Sequence, residues 1–141
     1  MKLKQNVTLK EAIKFHGHLG PYLILGMLAG ELALKKLKCK KYFGLKVKVL
    51  GADKKPKSCL IDGLQLSTGA TYGKGNMQKI KAKTIQILFQ ASKFNKRLKM
   101  RLNDEIIQKL EKLKGHKDSE IYAKLLYKIS PAEIFDLEPK I

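Results

Sequence analysis

The sequence predicts an α+β fold in which an antiparallel sheet packs against helices. Three observations carry this reading. Alternating strand patterns occupy the middle of the chain, while helical periodicity dominates before and after them. Two of the strand patterns, Thr84 to Gln90 and Arg97 to Asn103, are joined by six residues containing Asn95, which predicts a hairpin. The 141 residues are 44% apolar, enough to bury a core as one domain spanning 1–141. The motif-bearing core lies in 8–103, and a helical part follows over 104–141.

In chain order, Thr8 and Glu11 form a capping-box pattern that opens a helix from about Leu9 to Phe15. Gly17, Gly20 and Pro21 then break regular structure around His16 and His18. Tyr22 to Leu37 is the expected central buried helix. Its Gly26 and Gly30 share one face and predict close packing against a sheet or a second copy of the chain. Gly44 to Leu50 alternates Leu45, Val47 and Val49 with lysines, a strand with one wet face.

After a lysine-rich loop, Ser58 is the expected N-cap of a helix from Cys59 to about Ser67, ended by Gly69. Thr71 to Asn76 is expected to be an open glycine loop. Beyond the hairpin, Asp104 to Lys114 has a helical face of Ile106, Ile107, Leu110 and Leu113, closed by Gly115. Asp118 to Ile129 has another through Ile121, Leu125 and Leu126. A second capping pattern, Ser130-Pro131-Ala132-Glu133, predicts a short terminal helix through Ile134, Phe135 and Leu137. There is no internal repeat.

Composition narrows the function classes. Two cysteines, Cys39 and Cys59, make neither a disulfide framework nor a paired-cysteine zinc finger. No apolar run reaches the ~18 residues of a membrane span, and the first residues resemble no signal peptide. The expectation is a cytoplasmic protein with no membrane partner. The net charge of +18 comes from 30 basic residues, of which only Arg97 and Arg101 are arginine. Dispersed lysine suits a solvated surface of the kind common in proteins of hot environments. It predicts salt-sensitive, non-specific association with nucleic acid, not base recognition.

The chemistry-bearing groups fall in two segments, and the expectation is that these meet. His16 and His18, two residues apart in an irregular loop, could reach one metal or one substrate. Cys59 is placed in the first turn of its helix, where the dipole and free amides favour a thiolate, with Asp62 nearby. A thiolate with imidazoles would make an incomplete zinc shell with an exchangeable position. The run Gly73-Lys74-Gly75-Asn76 offers backbone amides and one cation to an anion, or forms a tight surface turn. It is not a nucleotide-binding P-loop, which ends in Gly-Lys-Ser/Thr and leads into a helix. His116 is placed in an exposed loop, and Cys39 is taken as structural.

Together, Phe15-His16-Gly17-His18, Pro21, Leu23-x-Leu25-Gly26, and the series Cys59, Asp62, Gln65, Thr68-Gly69, Thr71, Gly73-Lys74-Gly75-Asn76 resemble the FmdE family of formylmethanofuran dehydrogenase proteins. The resemblance covers roughly 8–103, with Pro131 to Phe135 similar to the family's usual ending, in a short form without the C-terminal zinc-binding module. It implies a dimeric α+β core with a pocket between the two segments. His16, His18 and Cys59 would hold zinc or another divalent metal, and Asp62, Gln65, Thr68, Thr71, Lys74 and Asn76 would bind a ligand. Many members have cysteine where this chain has Leu19 and Ala70, which removes two soft donors.

The implied role is an accessory protein of archaeal one-carbon metabolism, working beside the subunits of a molybdenum or tungsten formylmethanofuran dehydrogenase. Two alternatives stand beside it. One is a small enzyme acting on an anionic or pterin-like substrate, with Cys59 or His18 in catalysis and Lys74 holding the anion. The other is a basic nucleic-acid-binding protein.

Overall fold

The computed structural model describes residues 7–140. Helices α1 (Leu9–His16) and α2 (Pro21–Leu37) lead into strand β1 (Leu45–Leu50), helix α3 (Cys59–Thr68) and strand β2 (Met77–Ile80). The hairpin of β3 (Gln86–Ala91) and β4 (Arg97–Leu102) follows, then α4 (Asp104–Glu111), α5 (Gly115–Leu126) and a last strand, β5 (Phe135–Lys140). The sheet runs β2-β1-β3-β4-β5, with every neighbouring pair antiparallel except β1 and β2. This is the α+β arrangement that the segregated patterns predict.

Alternation decides which sheet face is wet. Leu45, Val47 and Val49 of β1, Ile87 and Phe89 of β3, and Leu98 and Met100 of β4 are buried. Their register stacks them across the sheet, as in Val47↔Phe89 and Phe89↔Leu98. The lysines of β1, Lys46 and Lys48, lie on the exposed face.

Two parts of the sheet differ from expectation. Met77–Ile80 is an added strand parallel to β1, reached through α3 as a parallel connection requires. Its short, mostly exposed sequence gives no alternation to detect. At the other edge, the expected terminal helix through Ile134, Phe135 and Leu137 is instead β5, preceded by one 3₁₀ turn over Pro131–Glu133. Ser130 makes no side-chain cap, so the capping pattern does not form. The segment Phe-Asp-Leu-Glu alternates with period two, completes the edge of β4, and faces Asp136 to Arg101 and Glu138 to Lys99.

The helices also differ in detail. Helix α5 begins at Gly115, and it buries Tyr122, Ala123 and Leu126, while Ile121 and Leu125 are about half exposed. The central helix α2 packs closely on α3, neither against the sheet nor across a boundary between two copies, at its glycine face. A Cβ on Gly26 would stand 2.1 Å from the Leu60 carbonyl oxygen, and one on Gly63 would stand 2.2 Å from that of Leu23. Ser67 Oγ donates across the same seam to Gly26 O and Gly63 O, at 3.1 and 2.8 Å. This backbone-to-backbone contact fixes where the start of α3 sits relative to the histidine loop.

Candidate functional site

The site begins with the ends of two helices. Thr8 and Glu11 form the expected capping box at the start of α1. Gly17, at φ 103°, ends α1 after two turns and turns the chain away, leaving His16 in the last turn. Asp62 lies in the first turn of α3. His16 Nδ1 and Asp62 Oδ2 are 2.6 Å apart, so the two segments meet as expected. A carboxylate only accepts, so Nδ1 carries the proton of this bond.

His16 is nine-tenths buried, its side chain 9% exposed. Its other nitrogen, Nε2, is buried with no hydrogen-bond partner among the described residues. The His18 ring stands 4.7 Å away, centroid to centroid, and the His116 ring lies 6.5 Å from His18 and perpendicular to it. The chain's three histidines, together with Cys59, line one cavity of about 310 Å³ whose remaining wall includes Leu19 and Leu110.

His116 is a departure from the sequence reading. It is solvent-exposed but belongs to the first turn of α5, not to a loop, and it faces the cavity. No motif marks it. Only the packing of α5 against α2 brings it within reach of residues almost a hundred positions earlier.

Cys59 occupies the predicted first turn without the predicted thiolate. Burial pushes its thiol up, the Asp62 carboxylate adds to that, and Lys55 opposes both. Ser58 provides no side-chain cap. The amides of Cys59, Leu60 and Ile61 already donate to the carbonyls of Pro56, Lys57 and Ser58. Helix position lowers a thiol's pKa only where free amides face the sulfur.

The remaining predicted ligand residues gather at the opposite end of α3, about 15 Å away for ten residues at 1.5 Å rise. There they tie the turn together. Thr68 Oγ1 donates to Leu64 O and accepts from Ala70 N, and Gln65 Oε1 accepts from Tyr72 N. Asn76 accepts from Thr71 N at 2.9 Å and donates to Tyr42 O at 2.6 Å. Lys74 Nζ donates to Gly69 O and lies 5.4 Å from the Phe43 ring. The glycine run is thus a compact turn, not an open loop. Of the predicted site residues, His16, His18, Cys59 and Asp62 come together, whereas Gln65, Thr68, Thr71, Lys74 and Asn76 do not join them.

Among the described residues, no three His, Cys, Asp or Glu side chains converge as a ready metal shell. The unpartnered His16 Nε2 is one fitting donor. Cys59 and His18 could join it by side-chain rotation. No described helix is long and apolar enough to cross a membrane.

Comparison with known proteins agrees with this geometry. The model of the family described as "FmdE, Molybdenum formylmethanofuran dehydrogenase operon" matches residues 15–136, from the histidine loop to β5. The crystal structure of an FmdE-like protein of tungsten formylmethanofuran dehydrogenase, from Syntrophus aciditrophicus, superposes with a TM-score of 0.67 at 18% identity. The match covers 94% of this chain and 69% of that one, and it shows a shared fold. No curated protein matches the sequence.

Proposed function

The chain belongs to the FmdE family, and from that premise we propose that it is an accessory protein holding one small ligand in the cavity where Asp62 orients His16. The observation that carries this reading is the buried, partnerless Nε2 of His16. Buried polar atoms in folded proteins are nearly always paired, so an exception calls for an occupant. Asp62 fixes the imidazole by accepting from Nδ1, which leaves Nε2 to meet that occupant. The largely apolar wall and few convergent polar groups match a ligand site.

A second reading, zinc or another divalent metal as the occupant, is favoured by one specific feature. Histidine ligands usually donate their second nitrogen to a carboxylate, as His16 does to Asp62. His16, His18 and Cys59 would then hold the ion, and the Cys59 proton would leave on coordination. A bound divalent ion would supply Lewis-acid character or a docking point for a further ligand atom.

In this proposal the protein works as a homodimer beside subunits of a molybdenum or tungsten formylmethanofuran dehydrogenase in one-carbon metabolism. The family's description supports that context. Association with nucleic acid would be non-specific, through the lysine surface. The test is zinc and small-ligand titration of ¹⁵N-labelled protein, following the His16 ring nitrogens. Saturable movement of Nε2 that Asp62→Asn weakens supports the proposal. His16 signals unmoved by every titrant refute it.

A further inference from the structure

We infer that the ligand of the histidine cavity is a small oxyanion, a carboxylate or phosphate group, seated on the N-terminal ends of α2 and α5. This rests on the small-ligand reading above and adds the ligand's charge. A helix leaves its first amides without intrahelical acceptors, and its dipole adds positive potential there. Together these make an anion site where nothing else takes the amides.

Helix starts in this protein divide into two groups. The start of α1 is capped by the Thr8 side chain and that of α4 by Asn103 Oδ1, which accepts from Ile106 N. The first amides of α3 bond to preceding carbonyls. Helices α2 and α5, of 17 and 12 residues, have no side-chain cap: Gly20 has no side chain to offer, and Lys114 supplies none. Both of these starts open on the histidine cavity, through Pro21 and Tyr22 on one side and Gly115 and His116 on the other.

The independent observation is the His16 side chain, nine-tenths buried, with Nε2 unpartnered at the same cavity. The other two imidazoles frame the space. His18 Nε2 lies against the start of α2, 3.5 Å from where a Cβ on Gly20 would be, and His116 stands edge-on to His18. The nearby carboxylates are engaged elsewhere: Asp62 with His16, and Asp118 with the Lys114 amide at 3.2 Å. A volume of about 310 Å³ is at the small end of ligand pockets. It suits a carboxylate or phosphate on a short apolar body resting against Leu19 and Leu110.

The test titrates ¹⁵N-labelled protein with acetate, inorganic phosphate and, separately, zinc, in low-chloride buffer at constant ionic strength. Saturable shifts of the Tyr22 and His116 amides with at least one anion support the inference. His116→Ala should weaken that anion at least threefold, and Leu113→Glu, which puts a negative charge on the cavity wall, should abolish its binding. A Lys46→Gln/Lys48→Gln protein, changed on the far sheet face, should bind as before. Anion shifts that never saturate, or that disappear in the lysine variant, overturn the inference. If zinc moves His16 while neither anion moves Tyr22 or His116, the anion assignment falls and the ligand cavity stands. If no titrant moves His16, both fall.

Discussion

His16 Nδ1 and Asp62 Oδ2, 46 positions apart in sequence, stand 2.6 Å apart and join the end of α1 to the start of α3. That bond sets the imidazole so that Nε2 faces inward without a protein partner. Replacing Asp62 by Asn keeps the shape but removes the charge-assisted acceptor. The expected loss is about tenfold in ligand affinity. With Asp62 partly exposed, the stability loss is about 1 kcal/mol. Paired titration and urea denaturation of the two proteins measure both.

The seam between α2 and α3 admits no side chain at Gly63. Gly63→Ala would drive a methyl group into the Leu23 carbonyl, a backbone atom that cannot swing aside. The expected cost is ~3 kcal/mol or more, as for severe overpacking. Ser67→Ala loses only the hydroxyl bonds to Gly26 and Gly63 and should cost about 1 kcal/mol. Thermal unfolding ranks the two.

The Cys59 thiol is raised by burial and by the Asp62 carboxylate. A raised pKa means less thiolate at neutral pH, so alkylation of a Cys39→Ser protein should be slower than that of a free thiol. The rate should climb into a more alkaline range than a free thiol requires. Asp62→Asn removes one raising charge and should move the profile back toward lower pH. Iodoacetamide rates across pH measure this, and a profile at or below the free-thiol range contradicts the burial argument.

At the β4–β5 edge, packing and charge separate cleanly. Phe135 is buried, so Phe135→Ala should cost ~3–5 kcal/mol. Asp136 and Arg101 are both about half exposed, with a 3.8 Å ion pair, and Asp136→Ala should change stability by less than about 1 kcal/mol. Chemical denaturation of the two variants checks the ordering, and similar losses would contradict β5.

Legibility in the sequence follows the range of the forces involved. The capping box at Thr8, the alternation in β1, β3 and β4, and the histidine and Cys59 segments are local patterns, and each is readable. The terminal strand is not, because the Ser130 capping pattern and the Phe135–Leu137 alternation compete locally, and pairing with β4 decides between them. Lys74 and Asn76 offer the right groups for a ligand, but which groups remain free depends on where Tyr42 and Gly69 place their carbonyls. His116 carries no local sign at all, since it reaches the cavity only through the tertiary placement of α5.

The central claim is that the cavity beside His16 has an occupant that meets Nε2. A crystal structure of protein purified without a metal-affinity tag, with anomalous data at the zinc edge, tests it most directly. The account predicts non-protein density at Nε2, an ion or an anionic ligand, with Nδ1 still on Asp62. A cavity filled by neighbouring side chains, with Nε2 bonded to a protein group, would contradict it.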